Sequence, residues 1–198
     1  MPRIPLPGRA DMNEEQQRIY DAAVAGPRGA VIGPLRAVIH SPDLARLWSG
    51  FGEYIRFRTC LPPACKELAI IVTARRWTSQ VEWLVHARAA ETAGIAPAVI
   101  AAIRAGEAPV FADAAEADIY EFARQLQMTG TVEQAVYDRI VARHDARGVV
   151  ELTAVIGYYT MVSMTLNVHE IPVPEGSTPP LMPIAAEGLT CLPAARRP

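Results

Sequence analysis

Two stretches decide the fold class: Leu61-Pro62-Pro63-Ala64-Cys65-Lys66-Glu67-Leu68-Ala69-Ile70-Ile71 and Ser79-Gln80-Val81-Glu82-Trp83-Leu84-Val85-His86. Pro62-Pro63 opens a helix, because proline presets φ and its missing N–H costs nothing in a first turn. That helix is predicted to end near Trp77. Ser79 caps the next one, and Gly94 ends it. Glu67 brings a carboxylate into an otherwise apolar helix. Glu82 and His86 stand at i and i+4, an acid and a base on one helical face, one turn apart. Two carboxylates and an imidazole that converge form a candidate proton-transfer site.

Outward from this hairpin the chain reads as helical. Asp11-Met12-Asn13-Glu14 has the spacing of a capping box and starts a helix to about Val24. Residues 26–33 form a Gly/Pro loop. Ser41-Pro42 opens a helix through Leu44, Leu47, Trp48, Phe51, Tyr54 and Ile55. A short helix runs from Pro97 to Ala105 and stops at Gly106. Another covers Asp113 to Met128. Thr131 and Gln134 cap a further one, which Gly148 separates from a long apolar helix ending near Asn167. No segment alternates with the period of a strand. The prediction is an all-α fold in one domain, residues 1–198. Prolines 172, 174, 179, 180, 183, 193 and 198 break regular structure in a tail, residues 171–198. Ile171 to Ile184 reads as an arm laid across a neighbouring subunit, with Leu181, Met182, Ile184 and Leu189 as apolar anchors. The remainder reads as loose.

The 198 residues suit one domain with a sizeable core. Hydrophobic residues make up 51% and charged residues 20%, the balance of a globular chain. A net charge of -2 with both signs interspersed gives no reason to expect a nucleic-acid partner. The Arg-containing N-terminus lacks the apolar run of a signal peptide. Val149 to Val168, interrupted by Glu151 and several hydroxyl side chains, reads as a buried helix and not a membrane span. Cys60, Cys65 and Cys191 form neither a CxxC nor a zinc spacing, so no metal is expected. A sparse, odd set suits the reducing cytoplasm.

Ser79-Gln80-Val81-Glu82 is itself a capping box, so Glu82 has a structural reading beside the chemical one. The two are compatible. A carboxylate in a first turn stays ionised in the field of the helix N-terminus and favours the imidazolium of His86. Trp83, in the same sector, reads as a wall of the pocket or as core. Glu67 either pairs with a nearby cation or joins the relay, because a buried glutamate needs a partner.

The motif order resembles the carboxymuconolactone decarboxylase family, within the alkylhydroperoxidase-D-like superfamily. The carriers are Leu61-Pro62-Pro63 with Glu67 to Ile71, the twelve-residue step from Glu67 to Ser79, then Glu82, His86, Ala93-Gly94-Ile95, and Ile103 to Gly106. Residues 52–59, 148–152 and 156–167 extend it, so that it covers roughly 41–174. The resemblance implies an alkylhydroperoxidase-D-like helical fold, a homo-oligomer (trimer or hexamer), no cofactor, and Glu67 as the family's relay glutamate. In the peroxidase branch a CxxC opens the site helix. Here those positions are Ser79 and Glu82, which cannot form a disulfide, so that activity is expected to be absent.

What remains looks like the decarboxylase branch: a lyase acting by acid–base chemistry on a small carboxylated lactone or keto acid, in aromatic degradation. His86 is the candidate acid, Glu82 orients and charges it, and Glu67 is the second relay member. A carboxylate substrate calls for a guanidinium. Of Arg56, Arg58 and Arg88, the sequence favours Arg58. Tyr158 or Tyr159 reads either as a hydroxyl donor to the substrate or as a core tyrosine whose hydroxyl is satisfied by a buried partner. Two alternatives stand beside this: a hydrolase or isomerase of a small carbonyl compound on the same residues, and a non-catalytic scaffold.

Overall fold

The computed structural model describes residues 1–26, 29–182 and 189–196. Among the described residues, a 3-10 turn (Arg9–Asp11) is followed by eight α-helices: α1 (Glu14–Ala25), α2 (Leu35–Val38), α3 (Pro42–Phe57), α4 (Pro63–Arg76), α5 (Gln80–Thr92), α6 (Pro97–Ala105), α7 (Ala114–Thr129) and α8 (Gln134–Val168). No strand occurs among the described residues, only an isolated bridge between Val110 and Arg196. The expected all-α class therefore holds.

Helix α4 is the central element. It packs against α5, α7 and α8 at once. Leu68, Ala69, Ile70, Ile71, Val72 and Ala74 are all fully buried, which explains why this helix reads as continuously apolar and not amphipathic. The apolar window within α8 is long enough to cross a membrane by composition, yet 56% of it is buried inside the fold. It is a core helix packed on α3, α4 and α7.

Three helix starts differ from the expectation. The first uses Asn13, not Asp11: the Asn13 side chain accepts from Gln16 N–H at 2.9 Å, and the Gln16 side chain accepts from Asn13 N–H at 3.1 Å. Both Asp11/Glu14 and Asn13/Gln16 fit the capping pattern; the chain uses the register that buries Met12. At the second, Thr131 does not cap. Glu133 is the cap residue of α8, and its N–H donates to Gln125 of α7. The third concerns Gly148, which does not divide the last helix. The break falls at Asp145 (φ 56°, ψ -173°), whose Oδ1 accepts from the N–H groups of Arg147 and Gly148 and so restarts the helix. Gly148 is required for another reason. A Cβ there would collide with the Cβ of His144.

The tail folds back on its own chain. Leu181 is 3% exposed, and its backbone forms two hydrogen bonds with the Gln80 side chain. Beyond it, the predicted loose end is tied down. Thr190 pairs with Arg76, Leu192 is buried, Tyr120 donates to the Pro193 carbonyl and Ala195 N–H donates to Glu121. Of the expected anchors, Met182 and Leu189 are exposed, and Ile184 lies outside the described residues. The reason is local polarity: the backbone groups that proline leaves unpaired find side-chain partners on α5, α6 and α7.

Candidate functional site

Helices α4 and α5 form an antiparallel hairpin whose turn is tight. Thr78 takes φ 48°, and Ser79 N–H donates to the Ala74 carbonyl at 2.8 Å. That bond decides the capping question. Ser79 N–H is committed to α4, so Glu82 cannot cap it, and Ser79 Oγ is buried with no partner. Ser79 and Glu82 do not form a capping box. Glu82 is thereby free to face His86.

The hairpin brings Glu67, Glu82 and His86 together. His86 is 1% exposed. Its Nδ1 is 2.6 Å from Glu67 Oε2, and its Nε2 is 3.3 Å from Glu82 Oε2. Both ring nitrogens thus meet carboxylates. Burial alone pushes the imidazole pKa down. The hydrogen bonds to Glu67 and Glu82, and the field of both charges, outweigh burial and raise it above its ordinary value. The Tyr159 ring stands edge-on to His86 at 4.8 Å, and burial raises its hydroxyl pKa well above the ordinary range.

The triad separates two openings. On the inner side, Glu82, His86, Arg56, Tyr158, Tyr159 and the segment 32–34 line a cavity of about 50 Å³. That volume suits one or two waters. Gly33, at φ 56°, lies over Glu82. On the outer side, Glu67 lies at a groove of about 760 Å³ that runs past Pro62, Arg88 and Ala93. Glu67 therefore reaches the groove, Glu82 the cavity, and His86 joins them.

Not every expected site residue lies here. Arg58 lies outside the cavity: its side chain is 64% exposed and paired with Glu53. Arg56 lines the cavity instead, and no carboxylate pairs with it among the described residues. One residue decides this, because α3 ends at Phe57 and Arg58 falls beyond the helical face that looks inward. Trp83 is 2% exposed but borders a different groove, toward α6 and Pro179–Met182, and is not a wall of this cavity. Tyr158 and Tyr159 both line the cavity. The sequence marks residues 26–33 as a Gly/Pro loop but gives that segment no role in the site; Gly29 and Gly33, both at positive φ, are the signal that could have pointed to it.

Comparison with known proteins agrees with this architecture. The carboxymuconolactone decarboxylase family matches residues 42–125. No curated protein matches the chain. Two crystal structures of uncharacterized peroxidase-related proteins are similar in fold. One, from Silicibacter sp. TM1040, is 16% identical with a TM-score of 0.68, over 86% of this chain and 91% of that one. The other, described as an alkylhydroperoxidase AhpD core from Ralstonia eutropha JMP134, is 13% identical with a TM-score of 0.69, over 88% and 93%. At such identities the two structures speak to fold alone. The family match runs from α3 into α7 and contains Glu67, Glu82 and His86, and over that stretch the chain resembles the carboxymuconolactone decarboxylase family.

Proposed function

We propose that the protein is an acid–base enzyme, a lyase of the decarboxylase type that acts on a small carboxylated lactone or keto acid. The observation that carries this reading is His86 held between Glu67 and Glu82, with a cavity on one side and a groove on the other. The family match supports an enzyme of this general kind.

The roles follow from position. Glu82 is the carboxylate at the cavity and exchanges the proton with substrate. His86 carries the proton between Glu82 and Glu67, and Glu67 meets solvent at the groove. The Arg56 guanidinium anchors the anionic substrate. In the reaction, the bond to the leaving carboxylate breaks and its electron pair moves onto the conjugated carbonyl. The Tyr159 hydroxyl donates to that oxygen. The pair then returns to carbon, which takes the proton from Glu82, and carbon dioxide leaves. One proton enters from solvent for each carbon dioxide released. A substrate larger than a few waters requires residues 32–34, which line the cavity, to be displaced outward.

Thiol peroxidase chemistry lacks support. Ser79 and Glu82 occupy the positions that a CxxC would need, and Cys60, Cys65 and Cys191 are all free thiols, with Cys65 buried. The test is carbon dioxide release from a panel of small carboxylated lactones and β-keto acids, run beside peroxide consumption with a dithiol. Decarboxylation lost in His86→Asn supports the proposal. Peroxide turnover that disappears when the three cysteines become serine overturns it. Turnover of uncarboxylated lactones or enols alone, lost in His86→Asn, moves the assignment to a hydrolase or isomerase.

A further inference from the structure

Helix α3 ends without a left-handed cap: no residue from Arg58 to Leu61 takes a positive φ. Its last carbonyls therefore need partners from elsewhere. Arg58 N–H donates to the Tyr54 carbonyl at 2.8 Å. The Arg56 carbonyl accepts from the Lys66 ammonium, which reaches it from the N-terminal end of α4. Glu151 of α8 holds the same stretch on both sides of Arg56. Its carboxylate accepts from the Tyr54 hydroxyl at 2.6 Å and from Cys60 N–H at 2.5 Å.

Lys66 is half-buried, a costly place for an ammonium. Burial pushes its pKa down, the neighbouring Glu67 charge opposes this, and the Arg56 guanidinium adds to the lowering. An apolar side chain would fill the same place without that cost, so the charge has a local use. A cation at a helix C-terminus suits the helix dipole. The bond also links the helix that carries Glu67 to the helix that carries Arg56. The Arg56 guanidinium lies 5.7 Å from the Phe57 ring and lines the cavity with Glu82 and Tyr159. A small turn of this helix end would swing it away. Arg58, two residues on, shows the other outcome: it points outward to Glu53.

We propose that Lys66 is a positioning residue, which fixes the last turn of α3 through the Arg56 carbonyl and so aims the Arg56 guanidinium into the cavity. Its consequence for turnover rests on the reading of Arg56 as the substrate anchor; its effect on geometry does not. Lys66 is not among the residues that line the cavity, so its loss weakens substrate binding and leaves the proton relay in place.

The experiment compares Lys66→Met, which keeps the stem and removes the donor, with Lys66→Arg, which restores one. Lys66→Leu is a second apolar variant should Lys66→Met lose its helical circular dichroism. The first readout needs no substrate. It is the heteronuclear NOE of the Arg56 Nε–Hε group in the full chain, assigned by its loss in Arg56→Lys. Wild type should be rigid, well above Arg18, whose side chain is 76% exposed. Lys66→Met should bring Arg56 down to the Arg18 level, and Lys66→Arg should restore it. An Arg56 group equally rigid in Lys66→Met and wild type overturns the proposal, whatever the substrate.

The second readout is kinetic, on a carboxylated lactone or β-keto acid that the wild type turns over. Lys66→Met should raise KM about tenfold, the effect of one net hydrogen bond, with kcat within about twofold. In an Arg56→Ala background it should add nothing, because both changes remove the same contact. A raised KM in Arg56→Ala with none in Lys66→Met overturns the proposal. An unchanged KM in Arg56→Ala removes the anchor reading instead, and the NOE alone then decides the role of Lys66.

Discussion

His86 Nδ1 and Glu67 Oε2 are 2.6 Å apart across two helices, both side chains almost wholly removed from water. A buried imidazole without such a partner stays neutral. With Glu67 and Glu82 on its two nitrogens its pKa is raised, so the pair sets the charge of the site. Glu67→Gln should lower the His86 pKa relative to wild type, read by nitrogen chemical shifts of the ring. An unchanged titration would show that Glu82 alone controls the imidazole.

The same shift predicts a pH dependence of stability. A raised folded pKa contributes stability that is fully present below the unfolded value of about 6.5 and is lost as pH rises through the folded value. Urea unfolding should therefore show wild type losing stability from about pH 6.5 upward. Glu67→Gln should show a flatter profile on that limb.

Ser79→Ala should leave stability within about 0.5 kcal/mol of wild type. A true N-cap hydroxyl would cost about 0.5–2 kcal/mol on removal. Here Ser79 Oγ is buried without a partner, so its loss removes an unsatisfied group and no bond. Denaturant midpoints decide between the two, and a clear loss would restore the capping role.

The sequence and the structure agree where a single local rule governs. Pro63, Pro97 and Gly106 mark helix ends as their backbone chemistry dictates. The i, i+4 spacing of Glu82 and His86 was legible because a helix makes it a contact. The disagreements arise where two patterns compete for one backbone group. Ser79-x-x-Glu82 fits a capping box, yet a bond from Ser79 to Ala74 across the hairpin takes the N–H first. Asp145 and Gly148 are both helix breakers on paper. Only tertiary packing shows that Asp145 restarts the helix while Gly148 yields space to His144. The tail's partners on α5 and α7, Gln80 and Glu121, lie 101 and 74 residues back along the chain, beyond the reach of any local pattern.

Glu151 gives an acid-side prediction. Burial would raise its pKa, but hydrogen bonds from the Tyr54 hydroxyl, Cys60 N–H and Arg147 outweigh burial and hold it at about 2. A depressed folded pKa contributes stability that is present above the unfolded value of about 4.5 and is lost as pH falls toward the folded one. Glu151→Gln should remove part of the wild-type loss between pH 4.5 and 2, measured by thermal unfolding across that range. An unchanged acid limb would place the sensitivity in other carboxylates.

Arg56 and Arg58 give the sharpest contrast in function, because they differ by two positions and by everything around them. Arg56 lines the cavity beside Glu82 and Tyr159, with no carboxylate partner among the described residues. Arg58 points outward and is paired with Glu53. A guanidinium that anchors a substrate carboxylate contributes about 1.5–3 kcal/mol through charged hydrogen bonds, roughly 10- to 150-fold in affinity. With a turned-over substrate, Arg56→Ala should raise KM by about that factor and leave the His86-dependent pH profile of kcat in place. Arg56→Lys should recover part of the loss, since the charge returns without the planar fork. Arg58→Ala should change kcat/KM less than about twofold, because an exposed ion pair contributes little. The reverse result, a large loss at Arg58 and none at Arg56, would place substrate on the outer surface of α3 and remove the cavity from the mechanism.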